Sequence, residues 1–361
     1  MTEYVSLIGD GVVGPVSQQQ AQMLDTVHDR ADDLNNMIED MLDISKLEAG
    51  VLGSYRVKAR LADVIHHVRP SLERKAMVRK VTLDFNIARD LPEIYCDPEK
   101  IGRVLINLAT NAIKFSGEPG KVSIWTKEDP AGDVICGVTD NGPGIDEKGI
   151  AVIFHRFKQL GGNLRGSTKG FGLGLNIAKE LIDLNFGQMF VESAPGQGST
   201  FSFSIPPADP QEILQRYLKR LTAMGTRCPH GDCESELSLL SARIGDSLPA
   251  GLAAETESYL NYLLRRNDLL FRIGPHRWML ALPAAQDELA SFVNRAAKTW
   301  RDTNRNRPHG PLPEVEFHSK GTWCVSLGSE GILAAARELI ELEDGIHNPA
   351  KADTTALASR L

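Results

Sequence analysis

Long apolar runs, cysteine and basic excess are all scarce in this sequence, and each absence excludes a class of protein. No uninterrupted apolar run approaches the roughly 18 residues that a membrane-spanning helix needs, so no membrane span is expected. The first residues, Met1-Thr2-Glu3-Tyr4, lack the basic start and apolar stretch of a signal peptide. Five cysteines in 361 residues, odd in number and mostly scattered, point to reduced thiols rather than a disulfide framework. A cytoplasmic protein is the expectation. A net charge of −7 argues against a general nucleic-acid binder, whose footprint is basic. What remains is an ordinary globular composition, 42% hydrophobic and 24% charged, with length enough for two or three domains.

Residues 17–49 carry a long amphipathic helix. Leu24, Val27, Ala31, Leu34, Ile38, Met41 and Ser45 recur at alternating three- and four-residue steps, the seam of a coiled coil or helical bundle. Ser17 reads as its N-cap and Gly50 as its stop. Tyr4–Ile8 ends another helix in this reading, turning through Gly9-Asp10-Gly11 and Gly14-Pro15 to make a hairpin with a very short first arm. Such a seam packs either on its own domain or on a second copy, and its length favours the second.

From Tyr55 to Pro206 strand and helix patterns mix. Val81–Phe85 and Val122–Trp125 alternate as half-buried strands do, Val134–Val138 reads as a buried strand, and Val104–Ala112 and Leu173–Leu184 read as helices. Pro206-Pro207-Ala208-Asp209-Pro210 reads as a stiff linker and a domain boundary. Residues 211–345 again alternate strand and helix, and the tail 346–361 is small and polar, expected to be flexible.

Four segments between 97 and 176 carry candidate chemistry. The first runs from Asp97-Pro98-Glu99-Lys100 through Leu105–Ser116; in it Asn107 and Asn111 are four apart and share one helix face. An amide oxygen suits magnesium, which prefers hard oxygen donors, and Lys114 can place a point charge on phosphate. The second, Val138-Thr139-Asp140-Asn141-Gly142-Pro143-Gly144-Ile145, runs from a buried strand into a tight turn. A carboxylate there can accept from an exocyclic amine, and the glycines let backbone approach a flat ring. The third is Ile153-Phe154-His155-Arg156-Phe157, followed by a glycine-rich stretch to Gly170. The fourth, Lys169-Gly170-Phe171-Gly172-Leu173-Gly174-Leu175-Asn176, puts glycines at a helix mouth, where free N–H groups and the helix dipole bind phosphate.

In combination these segments resemble the ATP-binding domain of sensor histidine kinases, a branch of the superfamily shared with DNA gyrase, a class of heat-shock chaperones and the mismatch-repair ATPases. The resemblance covers 55–206 and ends in Gly196-Gln197-Gly198-Ser199-Thr200-Phe201. It implies an α/β sandwich of the Bergerat type, a mixed sheet covered by helices on one face, that binds ATP and Mg2+. By this likeness Asn111 holds magnesium, Asn107 and Lys114 stand near the phosphates, and Phe115 lies against the nucleotide. Asp140 reads the adenine amine, Gly142 and Gly144 shape its pocket, and Thr200 supports it from behind. Residues 158–171 form a lid, and Gly170, Gly172 and Gly174 close on phosphate. Family members often carry an arginine just after the second phenylalanine of the lid motif. Here Phe157-Lys158-Gln159 stands there, so Lys158 or Arg165 has to substitute.

Residues 1–54 resemble a partial dimerisation hairpin of the same kinases, implying a homodimer. In the family a histidine on the first hairpin helix, followed by an acid, three residues and a proline, accepts the phosphoryl group. His28-Asp29 is the nearest candidate, but Asp33 stands where the proline belongs and His28 lies on what resembles the second helix. The expected acceptor is a histidine outside this segment, with a response regulator or phosphoacceptor protein as partner. The alternative is a non-enzymatic, ATP-gated interaction protein.

The order after the linker is a strand (Leu237–Ile244), a helix (Leu252–Leu264), a strand pair (Leu269–Ile273 and Trp278–Leu282), a helix (Glu288–Trp300), a strand (Cys324–Leu327) and a helix (Ile332–Leu342). That succession fits a ferredoxin-like or nucleotidyl-cyclase topology, so the whole chain is expected to be α+β. Arg265–Trp278 resembles the hairpin of diguanylate cyclase (GGDEF) domains, but Gly274-Pro275-His276-Arg277-Trp278 replaces the catalytic signature, which implies a degenerate, inactive domain. Arg265 and Asp268 match the spacing of that family's product-inhibition site, a possible seat for cyclic di-GMP. Cys228-Pro229-His230-Gly231-Asp232-Cys233 groups three metal-type ligands with no evident fourth and reads as a loop with two free thiols.

Overall fold

A computed structural model of the protein describes residues 7–8, 12, 14–48, 52, 54–116, 119–158, 172–224, 236–245, 250–265, 267–305, 307 and 310–347. The long helix is α1, Gln18–Glu48. Ser17 caps it reciprocally: its N–H donates to Gln20 Oε1 at 2.8 Å and its Oγ accepts from the Gln20 N–H at 3.2 Å, which satisfies a donor at the helix start. Most of the expected first hairpin arm, and Gly50, lie outside the described residues. Along α1, Met23, Val27, Leu34, Ile38, Met41 and Leu42 are about half exposed or more, an unpartnered apolar stripe. At its end the helix joins the next module: Ile44 and Leu47 are buried in that core, and Asp43 pairs with Arg103. Among the described residues no helix is long and apolar enough to cross a membrane.

Residues 55–205 form a helix-covered sheet. A short antiparallel pair, β1 (Val57–Ala59) with β3 (Ile94–Cys96), stands beside a five-stranded sheet ordered β2-β4-β5-β7-β6. Its strands are β2 (Val81–Asn86), β4 (Gly120–Glu128), β5 (Val134–Asp140), β6 (Met189–Ser193) and β7 (Ser199–Ile205); β2 and β4 are parallel and the other neighbours antiparallel. Helices α2 (Leu61–Val78), α3 (Pro98–Phe115) and α5 (Gly174–Leu184) share one core with the sheet; the single turn Glu147–Ile150 is α4. Asp97 caps α3 by accepting from the Lys100 N–H, with Pro98 at the first helical position, an arrangement that suits proline's missing N–H. In β4 the inward residues Val122, Ile124 and Thr126 alternate with outward ones. Outward, the Trp125 ring lies flat over Gly137, where a Cβ would sit 2.2 Å from ring atoms.

The 206–210 segment is not a free spacer. Pro206 O accepts from the Tyr95 N–H at 3.3 Å, and the Ala208 N–H donates to Glu93 O at 2.7 Å, so the chain adds itself to the edge of β3. Asp209 then caps α6 (Pro210–Met224) by accepting from the Glu212 N–H at 2.8 Å. The Asp-Pro start and the spacing of Ile213, Leu214, Tyr217, Leu218 and Leu221 announce this helix, which the linker reading passed over.

The C-terminal domain continues with β8 (Glu236–Arg243), α7 (Ala250–Leu263), β9 (Leu269–Gly274), β10 (Arg277–Leu282), α8 (Gln286–Arg305), β11 (Glu316–Cys324) and α9 (Val325–His347). The sheet order is β11-β8-β10-β9 with every neighbour antiparallel. Helices α6 and α9 cover one face, α7 and α8 the other. The expected strand Cys324–Leu327 is displaced: the strand is Glu316–Cys324, and Val325 opens a helix that also takes in the expected Ile332–Leu342. β11 is an edge strand with exposed His318, Ser319 and Lys320 and a register shift between Ser319 and Gly321, so it lacks the alternation that marks half-buried strands.

The two domains share a core. Tyr95 of β3 is buried among Ile213, Leu214 and Phe271; its ring stacks on Phe271 with centroids 5.1 Å apart, and its hydroxyl donates to Leu270 O at 2.6 Å. Arg216 of α6 pairs with Asp133 at the start of β5. A Tyr95→Ala substitution is expected to cost about 3–5 kcal/mol in urea unfolding and to speed proteolysis at 206–210. Unchanged values for both would show that the joint contributes nothing.

Candidate functional site

The site is assembled at one end of the sheet by α3, the turn after β5, the start of α5 and the turn between β6 and β7. On α3, Asn111 Nδ2 donates to Asn107 Oδ1 at 3.1 Å, as the four-residue spacing predicts. The first turn of α5 is packed directly on that amide: a Cβ on Gly174 would lie 2.4 Å from Asn107 Nδ2, so a side chain there would displace the Asn107 amide. Lys114 lies over the Phe115 ring at 5.4 Å, and Phe115 itself is 42% exposed.

Asp140 ends β5 with 7% of its surface exposed. Its Oδ1 accepts from the Gly142 N–H at 2.8 Å. Burial raises its carboxyl above the usual aspartate range, and hydrogen bonds from the Gly142 and Ser199 backbone pull it part of the way back. Protonation therefore sets in sooner as the pH falls than for an exposed aspartate. Gly142 is wedged in place, its Cβ position 2.8 Å from both Asp140 Oδ1 and Phe115 O, so the α3 end and the Asp140 turn touch through backbone.

The turn Pro143–Ile145 is locked to Ser193–Ser199. Gly144 has φ +71° and would place a Cβ 1.9 Å from Ala194 O; Gly198 has φ +79° and would place one 2.0 Å from Asp140 O. Ser193 Oγ accepts from the Ile145 N–H at 2.8 Å and donates to Gly198 O at 2.9 Å. Thr200 is not the support behind Asp140. Its hydroxyl meets Thr139 Oγ1 at 2.9 Å, and Thr139 Oγ1 accepts from Trp125 Nε1, on the opposite face of the sheet. The residue paired with Asp140 is Ser199. Strand alternation decides this: Phe201, Phe203 and Ile205 point inward, so Ser199 does and Thr200 does not. Ser193, Ser199 and Gly198 were missed as site residues, although the inward parity of Phe201 and Phe203 is a signal for Ser199.

On either side of 159–171, which lie outside the described residues, the Phe157 N–H donates to Gly172 O at 3.0 Å. Arg156 Nε donates to Asn176 Oδ1 at 3.2 Å, and Asn176 Nδ2 to Phe154 O at 3.1 Å, tying the 154–156 segment to α5. Gly170 and Arg165 lie outside the described residues, as does Cys228–Cys233. Among the described residues no cluster of His, Cys, Asp or Glu could hold a metal ion. In the C-terminal domain Asp268 faces inward. It is 6% exposed and accepts from the Arg265 backbone N–H at 2.7 Å, and burial lifts its carboxyl to about 6. It does not form the exposed Arg265/Asp268 pair that a cyclic di-GMP site requires, because the carboxylate closes its own turn.

Residues 96–209 match the family model described as histidine kinase-, DNA gyrase B-, and HSP90-like ATPase. Residues 2–50 match the His Kinase A (phospho-acceptor) domain. The two matched stretches are the N-terminal segment and most of the sheet module, and together they span less than half of the chain. Among curated relatives, the chain is 34% identical over 197 residues to the circadian input-output histidine kinase CikA of Synechococcus elongatus, covering 54% of this chain and 26% of that protein. It is 34% identical to the non-motile and phage-resistance protein of Caulobacter vibrioides, covering 56% of this chain and 24% of that one. It is 31% identical to the adaptive-response sensory kinase SasA of Synechocystis sp., covering 53% of this chain and 51% of that one. The chain thus spans about a quarter to a half of the length of these relatives.

Proposed function

We propose that the chain is the ATP-binding catalytic core of a two-component histidine kinase, transferring the γ-phosphoryl group of ATP to a histidine outside residues 1–361. The observation that carries this reading is convergence: Asn107 against Gly174, and Phe115 against Gly142, bring three distant segments to one mouth beside the buried Asp140. In it Asp140 accepts from the adenine amine while Gly142 and Gly144 admit the flat ring. Gly172 and Gly174 present the N–H groups of α5 to phosphate, with Gly170 completing that approach. Asn111 uses its Nδ2 on Asn107, which leaves its amide oxygen as a hard donor, so the residues fit a magnesium ion that neutralises phosphate charge. Asn107 and Lys114 flank the phosphates, and catalysis is positioning plus electrostatics.

The exposed stripe on α1 supports a homodimer through the N-terminal helices, with a response regulator or phosphoacceptor protein as the further partner. The βαββαβ order with strands 4-1-3-2 supports a ferredoxin-like, cyclase-like C-terminal domain. Its hairpin turn Pro275-His276 holds no carboxylate for two-metal chemistry, so the domain is a regulatory or partner-binding one without cyclase activity.

The wild-type chain is expected to bind an ATP analogue with magnesium, and Asn111→Ala to weaken binding by about tenfold with magnesium but little in EDTA. Equal binding by both forms in both buffers removes the metal role. Incubated alone with labelled ATP, the chain is expected to gain little acid-labile phosphate; strong label that vanishes in His28→Ala would place the acceptor inside the chain. Binding without transfer to any supplied acceptor hairpin would favour an ATP-gated interaction protein.

A further inference from the structure

The joint between the two domains holds a small, partly open cavity that no part of the kinase reading uses. Arg56 and Arg220 line it with Tyr217, Asn267 and three apolar side chains, and no lining residue is acidic. Arg56 belongs to the ATP module and is 6% exposed; Arg220 is on α6, so the cavity is a seam between modules. Its inner space, about 10 Å3, has room for one species of about water size.

Two positive charges line this cavity with no carboxylate in ion-pair contact: Asp183 bears on Arg220 and Asp97 on Arg56 only from beyond that distance. Arg56 donates Nε to Leu184 O at 2.8 Å and lies over the Phe186 ring at 4.8 Å; Arg220 donates Nη1 to Asp183 O at 2.5 Å. Among the described residues neither guanidinium has a carboxylate within 4.0 Å. Asp97, the acid that bears on Arg56, is already taken up by Lys100 Nζ at 2.7 Å and the Tyr55 N–H at 2.8 Å. Burial lowers the Arg56 guanidinium from its ordinary value, and the Arg220 charge adds to that. The carbonyls that both arginines grip are the C-terminal end of α5, which supplies about half a unit of negative charge. That half charge and two carboxylates beyond contact distance, one of them shared with Lys100, leave buried Arg56 and half-buried Arg220 without an anion in contact, which is unfavourable for the buried one.

We infer that a single halide-sized anion binds between Arg56 and Arg220 and clamps the C-terminal domain onto the ATP module. The Nη groups of Arg56 and the uncommitted N–H groups of Arg220 are its donors, and the rings of Phe186 and Tyr217 border it. The clamp closes on the far end of α5, the helix whose first turn abuts Asn107, so the anion holds the C-terminal domain to the same rod that carries the phosphate-binding glycines.

The test is thermal unfolding of the full chain at fixed ionic strength, exchanging sodium gluconate for chloride or bromide, alongside anomalous diffraction from bromide-soaked crystals. Halide is expected to raise the unfolding temperature saturably, with a bromide peak between the two guanidinium groups. Arg220→Met is expected to abolish the saturable part and leave only the gradual, non-specific effect of salt. A saturable response of equal midpoint in Arg220→Met, a response to phosphate but none to halide, or bromide peaks confined to other surfaces would each overturn the site. If Arg220→Met does not fold, the bromide map of the wild-type protein decides alone.

Discussion

Asp140→Asn is expected to bind an ATP analogue about 100-fold more weakly than wild type while keeping its fold, a loss of about 3 kcal/mol. The substitution is nearly isosteric, and the amide oxygen can still accept from the Gly142 N–H, the bond that shapes the turn. The other carboxylate oxygen becomes an NH2 group, so in the proposed pose a donor would face the adenine amine, itself a donor. Asp140 is buried, and no water replaces the missing acceptor at low cost. Calorimetry with a non-hydrolysable analogue reads the affinity, and a thermal melt checks that the domain is intact. Unchanged affinity in a folded variant would move the adenine pocket away from Asp140.

Gly198→Ala is expected to lose about 2–5 kcal/mol of stability, whereas Gly196→Ala loses about 1 kcal/mol. Both glycines have positive φ, +77° at Gly196 and +79° at Gly198, so a side chain strains the backbone at each. They differ in what a Cβ would meet. At Gly196 there is nothing within 4 Å; at Gly198 the Asp140 carbonyl oxygen lies 2.0 Å away, and it is backbone that cannot rotate aside. Against a typical total of about 5–15 kcal/mol, the larger loss leaves the ATP module marginal or unfolded. Urea denaturation of the two variants side by side separates the contributions. Equal losses would show that φ alone matters and that the two turns are not interlocked as described.

Much of this was legible locally. Capping and helical periodicity act within three or four residues, so Ser17 and the run from Leu24 to Met41 announce α1, and Asp97-Pro98 announces α3. The same locality places Asn107 and Asn111 on one face, and carries the Asp140 turn and the glycine mouth of α5 as short motifs. Parity along a single strand was legible too, and reading it through Phe201 and Phe203 would have chosen Ser199 over Thr200. What joins residues far apart in the chain was not. Gly198 and Asp140 touch across 58 positions only because β5 and β7 pair in one register. β11 has too little apolar alternation to declare itself, and becomes a strand because β8 offers an edge. The Pro-rich segment reads as a spacer until Glu93 and Tyr95 present unpaired backbone groups for it to meet. Arg56 and Arg220 are ordinary surface residues in sequence, 164 positions apart. Only domain packing buries the first against the second, because side-chain desolvation is a property of what surrounds a residue and not of its neighbours along the chain.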